Sequence, residues 1–383
     1  MIPYGRQSID AADIDAVIEV LKSDFLTQGP AIPRFEKALA AYCGAAHGVA
    51  ACNATAALHV ACLALGLGPG DILWTSPITF VASANCALFC GAEVDFVDID
   101  PKTYNISVGR LAEKLEAAER EGRLPKIVMP VHLTGQSSEM RPIAELARRY
   151  GFRIVEDASH AVGASYGNGR VGDCRYSDIA VFSFHPVKII TTGEGGMAMT
   201  NDAGLAAKMS LLRTHGVTRD PALLGAAPRG AWYYEQHELG FNYRMTDIHA
   251  ALGHSQLQRL DDLVQRRRHL AARYDEAFGG LPLTRPWQHP DTNSSWHLYV
   301  IRVDAAIHAS AFDRLRQDGI GVNLHYIPVP RQPYYRELGF DAAKWPEAER
   351  YYSEAITLPL YPALSEDEQD QVIAAVKDAL GCA

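Results

Sequence analysis

Through the first two thirds of the chain, short apolar runs alternate with longer stretches whose apolar positions recur every three to four residues. That alternation predicts an α/β fold with a mainly parallel sheet covered by helices. The predicted strands are Val49 to Cys52, Asp71 to Thr75, Glu93 to Val97, Lys126 to Val131, Arg153 to Glu156, Ile179 to Phe184 and Met197 to Thr200. Helices are predicted between them near 55–65, 79–90, 107–120, 138–150 and 202–214. From about Asp247 a helical spacing runs through Leu252, Leu257, Leu260, Leu263 and Leu270 to about Phe278 and stops at Gly279-Gly280, as a spine joining two domains would. Beyond it, Trp296 to Val303, a helix near 308–318, a short strand near 321–326 and a last helix near 365–380 suggest a small α+β domain. A helix from Asp10 to Lys22 is free to pack on either domain. The stretch 217–234, with Pro221, Gly225, Pro228 and Gly230, reads as a surface loop.

Composition narrows the class without choosing a function. A chain of 383 residues with 48% hydrophobic and 21% charged residues suits a large domain plus a smaller one. The net charge of -9 opposes a phosphate polymer, so no nucleic-acid partner is expected, although a local basic pocket remains compatible. Seven scattered cysteines form no CxxC pair, which reads as reduced thiols in a cytoplasmic protein. Cys86 and Cys90 share a helix face, but no ligand cluster accompanies them and no metal is expected. No secretory signal is read at Met1 to Arg6, and no apolar run is long enough to span a bilayer.

Chemistry concentrates after the predicted strand ends. Lys188, in Ser183-Phe-His185-Pro-Val-Lys188, departs from the amphipathic helical settings of Lys22, Lys37, Lys114, Lys208 and Lys377. An amine among apolar neighbours loses solvation of its charged form and becomes nucleophilic, so it can condense with an aldehyde. A strand-end lysine reaching solvent is the plain alternative. The strand ending in Glu156-Asp157 puts a carboxylate at the sheet edge where open α/β folds bind ligands. Asp157 there can meet a cationic heterocycle or simply cap a helix, and His160 can orient Asp157 or sit satisfied in the core. Asn53-Ala-Thr55-Ala56-Ala57 opens a helix with small residues, an anion site to which Thr55 adds a hydroxyl. Phe80 can present a face to a planar ring or join the core. The run Gly66-Leu-Gly68-Pro-Gly70 follows a helix instead of a strand, so it reads as a helix-ending turn and not a dinucleotide fingerprint.

Phosphate cradle, aromatic, carboxylate, serine and lysine come in the order that holds pyridoxal 5′-phosphate on an α/β scaffold. With Glu156-Asp-Ala-Ser-His160, Ser183-Phe-His-Pro-Val-Lys188, Glu194-Gly-Gly and Gly240-Phe-Asn-Tyr-Arg-Met-Thr-Asp247, the whole chain resembles the DegT/DnrJ/EryC1/StrS (ArnB-like) sugar aminotransferases. The resemblance implies a fold-type I aminotransferase, with residues 1–250 as the large cofactor domain and 251–383, including the linking helix, as the small domain. It implies that Lys188 forms the Schiff base, Asp157 faces the pyridinium nitrogen and Phe80 stacks on the ring. His160 joins Lys188 and Asp157 as a catalytic candidate, and Thr55, Ala56 and Ser183 hold the phosphate. Asn242 is implied to reach the cofactor of a second subunit, giving a homodimer with a shared site. Tyr4, His185, Arg244, His325 and Tyr326 are implied substrate contacts, and Arg244, Arg229 and Arg213 are candidates for a nucleotide diphosphate.

Within the family, His185-Pro-Val-Lys188, Trp232-Tyr-Tyr-Glu-Gln and Trp296-His-Leu-Tyr299 resemble the pseudaminic acid branch. That branch implies glutamate as amino donor and C4 of a UDP-linked 4-keto-6-deoxy-N-acetylhexosamine as acceptor. A D-configured 4-keto or a 3-keto nucleotide sugar is the alternative, and a non-catalytic cofactor-binding regulator is a further one. The family's dehydratases carry histidine at the lysine position, and Lys188 speaks against that outcome.

Overall fold

A computed structural model describes residues 1–226 and 230–382. Its centre is a seven-stranded sheet in the order His47–Ala51, Gly196–Thr200, Ile179–Ser183, Arg153–Asp157, Ile127–Met129, Ile72–Thr75, Glu93–Phe96. The five strands from Ile179–Ser183 to Glu93–Phe96 run parallel, and Gly196–Thr200 is antiparallel to both of its neighbours.

Parity along the strands assigns the two faces. Leu73, Ile127, Met129, Val155, Ile179 and Val181 pack under helices Ala54–Ala64, Ala82–Phe89 and Ala203–Leu212. Their neighbours Ala180 and Phe182 meet helices Ala31–Cys43 and Asp247–Leu257, while Ile72, Trp74, Val128 and Ile154 meet Val108–Glu121 and Met140–Tyr150. Because both faces are covered, Ile179–Ser183 and Gly196–Thr200 are buried at every position, which explains their unbroken apolar spelling.

Helix Ala31–Cys43, absent from the sequence expectation, buries Phe35 and Leu39. The expected single spine from Asp247 to Phe278 is two helices, Asp247–Leu257 and Leu260–Ala277, because Arg259 leaves helical geometry (φ -116, ψ 17). The Arg259 guanidinium turns to the Ser8 carbonyl and Asp13, tying the first helix, Ala11–Leu21, against Asp247–Leu257.

Leu270, Tyr274 and Phe278 start a third core with the antiparallel strands Tyr299–Arg302 and Ala355–Leu358 and helices Ala305–Gln317 and Glu366–Ala379. Ile2–Pro3 pairs with Ile320–Gly321, so the chain start joins this C-terminal core while its first helix joins the sheet side. The expected strand near 321–326 is only this two-residue pairing. In the stretch 217–234, Val217–Thr218 pairs with Glu235–Gln236, and Pro228 and Arg229 lie outside the described residues.

Side chains occupy the outward backbone groups at one residue of each edge strand. At Glu93–Phe96 the Phe96 N–H donates to Asp95 Oδ1 (2.7 Å), and its carbonyl accepts from Lys114 Nζ (2.7 Å) and Trp345 Nε1 (3.0 Å). At His47–Ala51 the Ala50 N–H donates to Glu36 Oε1 (2.9 Å) and its carbonyl accepts from Arg213.

Candidate active site

The C-terminal ends of strands Ile72–Thr75, Ile127–Met129, Arg153–Asp157 and Ile179–Ser183 open into one cavity of about 550 Å³. This is the crevice in which open α/β sheets take ligands, and its volume suits a cofactor plus part of a substrate. Lys188 projects into it from the turn closed by its N–H to the His185 carbonyl (2.9 Å). Burial pushes the Lys188 ammonium down to about 8, and the negative Asp157 opposes that fall. A substantial fraction of neutral amine near neutral pH makes this lysine a nucleophile and a proton carrier.

Asp157 ends its strand almost wholly buried. One carboxylate oxygen accepts from Ser83 Oγ (2.6 Å), and the other from the Ser159 N–H (3.1 Å). Ser83, which no local signal in the sequence picks out, reaches Asp157 because helix Ala82–Phe89 begins just after the exit of Ile72–Thr75, two strands away in the sheet. His160 is not the orienting partner of Asp157. Its Nδ1 accepts from the Thr134 N–H (3.3 Å) and its Nε2 meets Tyr326 Oη (3.1 Å).

At the opposite end, Asn53 caps helix Ala54–Ala64 by accepting the Ala56 N–H (2.8 Å). Thr55 and Ser183 line the cavity with Asn53 and Ala54, whereas Ala56 does not. The Ala56 N–H is given to the Asn53 side chain in this structure. Gly196 closes this corner. A Cβ there would stand 2.6 Å from the Ala54 Cα and N, so glycine permits the strand to lie against the helix start.

Phe80 is 57% exposed, which removes the core-aromatic alternative, and its ring lies 6.1 Å from that of Tyr326. Tyr4, His185, His325 and Tyr326 all line the cavity. Tyr4 and His325 pack with ring centres 5.1 Å apart, and His325 Nδ1 meets Thr357 Oγ1 at 3.0 Å. Burial, with the nearby Lys188 charge, holds His325 down at about 3. His160 is driven well below the usual histidine range by the same two causes. His297 and Asn323 complete the wall, delivered by the C-terminal half of the chain, and sequence spacing could not place either beside Lys188.

Three expected residues lie elsewhere. Asn242 is exposed and does not line this cavity. Arg244 lines a separate hollow of about 630 Å³ with Gln28, His215, Arg219 and Tyr234. Arg213 is committed to Glu36 (2.6 Å) and the Ala50 carbonyl, so it is a sheet-edge ion pair and not a free cation for a diphosphate.

A lysine with depressed basicity, a buried carboxylate across the cavity, an exposed aromatic face and a helix start with free first-turn donors fit a phosphorylated aromatic aldehyde with a ring nitrogen. The profile of the DegT/DnrJ/EryC1/StrS aminotransferase family matches residues 7–377. The chain belongs to that family. It is an α/β, pyridoxal phosphate-dependent sugar aminotransferase.

The chain is 42% identical to the spore coat polysaccharide biosynthesis protein SpsC of Bacillus subtilis, over 98% of this chain and 96% of that one. It is 38% identical to the GDP-perosamine synthase of Caulobacter vibrioides (99% and 98% covered). Identity is 36% to the UDP-4-amino-4,6-dideoxy-N-acetyl-beta-L-altrosamine transaminase of Campylobacter jejuni (95% and 94% covered). Among solved structures, Spr1654 of Streptococcus pneumoniae in its PMP form superposes with a TM-score of 0.91 at 30% identity (100% and 99% covered). PseC of Helicobacter pylori, an aminotransferase of pseudaminic acid biosynthesis, does so with 0.89 at 32% (99% of each chain).

Proposed function

We propose that this aminotransferase moves the amino group of L-glutamate to C4 of a UDP-linked 4-keto-6-deoxy-N-acetylhexosamine, as a cytoplasmic homodimer. The observation that carries the chemistry is Lys188 facing Asp157 in one cavity, its ammonium held down to about 8. Pyridoxal phosphate, when bound, supplies the electron sink that stabilises negative charge at the donor's Cα. Lys188 is the residue that would hold the cofactor's aldehyde group, and its free amine would carry the proton of the donor's Cα. Asp157, fixed by Ser83, is the carboxylate that would face the ring nitrogen. Thr55, Ser183 and the start of helix Ala54–Ala64 would hold the cofactor's phosphate, and Phe80, on the same cavity wall, would lie against its ring. One lysine serves both half-reactions, so the kinetics are ping-pong.

Lys188 is the single lysine among the lining residues of the cavity, and no arginine is among them. A nucleotide diphosphate therefore needs cations from outside it, and Arg244 and Arg219, which share the neighbouring hollow, are the candidates. Exposed Asn242, next to that hollow in sequence, is assigned to a second subunit's cofactor phosphate. The seven cysteines are all free thiols, in keeping with a reducing compartment.

The likeness to the Campylobacter jejuni transaminase and to PseC supports the UDP-linked substrate. The comparable identity to a GDP-perosamine synthase favours a second reading, a GDP-linked 4-keto sugar. Incubating the enzyme in its aminated form with UDP- and GDP-linked 4-keto sugars of both C5 configurations, with mass detection of the amino product, separates them. Exclusive amination of the GDP-linked sugar would overturn the first reading.

A further inference from the structure

Two loops that cross at the cavity wall hold His160 from opposite sides. The Thr134 N–H donates to His160 Nδ1 (3.3 Å), and Ser295 Oγ donates to the His160 carbonyl (3.1 Å). The loops interlock: the Ser295 N–H donates to the Gly135 carbonyl, and the Leu298 N–H to the Thr134 carbonyl (both 3.1 Å). Thr134 (φ 63) and Trp296 (φ 51) both sit in the left-handed region, which non-glycine residues occupy at a cost that functional sites often retain. Gly135 (φ 103) has no room for a side chain, since a Cβ would stand 2.9 Å from the backbone nitrogens of Trp296 and His297. The ring of His160 is thus fixed in position, with the His297 ring tilted against it at 53° and 4.4 Å between centres.

The direction of every hydrogen bond along this line follows from elementary bookkeeping. Burial and the Lys188 charge keep His160 neutral, so its ring carries one proton. Nδ1 accepts from a backbone N–H that can only donate, which leaves the proton on Nε2. Nε2–H therefore donates to Tyr326 Oη, and the phenol accepts. A phenol that accepts from His160 must aim its own hydrogen somewhere else, and Tyr326 Oη has no other hydrogen-bond partner among the described residues. Tyr326 lines the cavity, 6.1 Å from the exposed Phe80 ring, so the free donor is available to whatever binds there. Burial and Asp157 raise the phenol's pKa, so it keeps its hydrogen through the ordinary pH range.

We propose that Tyr326 is a one-way hydrogen-bond donor to the oxygen on the reacting carbon of the keto sugar, and that His160 is the positioning residue that sets its polarity. The role rests on the nucleotide-sugar reading above and assigns a contact within it. The acid residues of the cavity do not offer the same service, since Asp157 and Glu194 are acceptors when ionised.

Two measurements on the holoenzyme test the assignment. Long-range proton–nitrogen spectra of the histidine-labelled protein, with His160→Gln to identify the signal, should show a neutral ring protonated at Nε2 from pH 6 to 9. A proton on Nδ1, or an imidazolium at pH 7, overturns the relay. Calorimetric binding of a UDP-linked N-acetylhexosamine with a C4 hydroxyl, against its C4-deoxy analogue, then reads the contact itself. The wild-type chain should prefer the oxygen-bearing ligand by about tenfold, as one hydrogen bond in a dry site confers. Tyr326→Phe should erase that preference. His160→Leu should erase it as well. His160→Gln, whose amide both accepts and donates, should restore it. A preference that survives in Tyr326→Phe refutes the proposal. Binding of neither sugar nucleotide to the wild-type chain would remove the substrate reading instead, and the ring tautomer alone would then decide the relay.

Discussion

Lys188 should make the cofactor-free protein less stable than it would be without it. Its ammonium falls from 10.5 to about 8 on folding. At about 1.4 kcal/mol per pH unit this is a native-state penalty of roughly 3 kcal/mol, and ~2 kcal/mol after allowing for the side chain's partial contact with water. The sign follows from proton counting. Below pH 8 both folded and unfolded chains carry the proton and the full penalty applies; between 8 and 10.5 the unfolded chain binds more protons and stability rises with pH; above 10.5 the penalty is gone. Lys188→Met keeps the aliphatic stem and removes the charge. Urea unfolding of apo wild type and Lys188→Met should show the variant more stable by ~2 kcal/mol at pH 7, with equal slopes against denaturant. The gap should shrink to about a quarter by pH 10. A variant less stable than wild type at pH 7, or a gap independent of pH, would refute the account of Lys188 as a desolvated amine.

Three further outcomes are expected. Ser83→Ala leaves a buried Asp157 oxygen without its donor and should cost about 1.5–3 kcal/mol of stability in denaturant unfolding. Gly196→Ala pushes a methyl into the Ala54 backbone, so it should release bound cofactor on dialysis, read from the visible absorbance, and lower stability by about 1–3 kcal/mol. His325 resists protonation in the fold, so wild-type stability should fall as pH drops below 6.5 and level off near 3, and His325→Gln should flatten that limb by about 1–2 kcal/mol at pH 5. An acid limb unchanged in the variant would place the proton uptake on other groups.

Sheet and helices up to about residue 214 were legible because burial on both faces writes strands as apolar runs, and the strand-end residues Asp157, Ser183 and Lys188 follow directly from them. Helix Ala31–Cys43 escaped because prolines at 30 and 33 bracket its start and obscure the apolar face of Ile32, Phe35 and Leu39. The break at Arg259 escaped for the opposite reason. Leu257 and Leu260 are both buried three residues apart, so the leucine spacing runs on through a kink that only the distant Ser8 and Asp13 explain. Within the site, Ser83, His297 and Asn323 carried no local mark, since their role depends on which loops meet. His160 was found with two roles left open, to orient Asp157 or to sit satisfied in the core, and its partners are Thr134 and Tyr326 because sequence proximity to Asp157 says nothing about the direction in which a ring points.

The two sheet edges constrain how two copies can meet. A strand with bare amides invites another chain to extend it, and this sheet blocks that pairing at one residue of each border strand. The Phe96 and Ala50 amides and carbonyls are spent on Asp95, Lys114, Trp345, Glu36 and Arg213. Association is thereby diverted from open-ended stacking to surfaces made of helices and loops, where a pairing can close on itself. Arg213, set aside as a ligand for the diphosphate, becomes a guard against polymerisation.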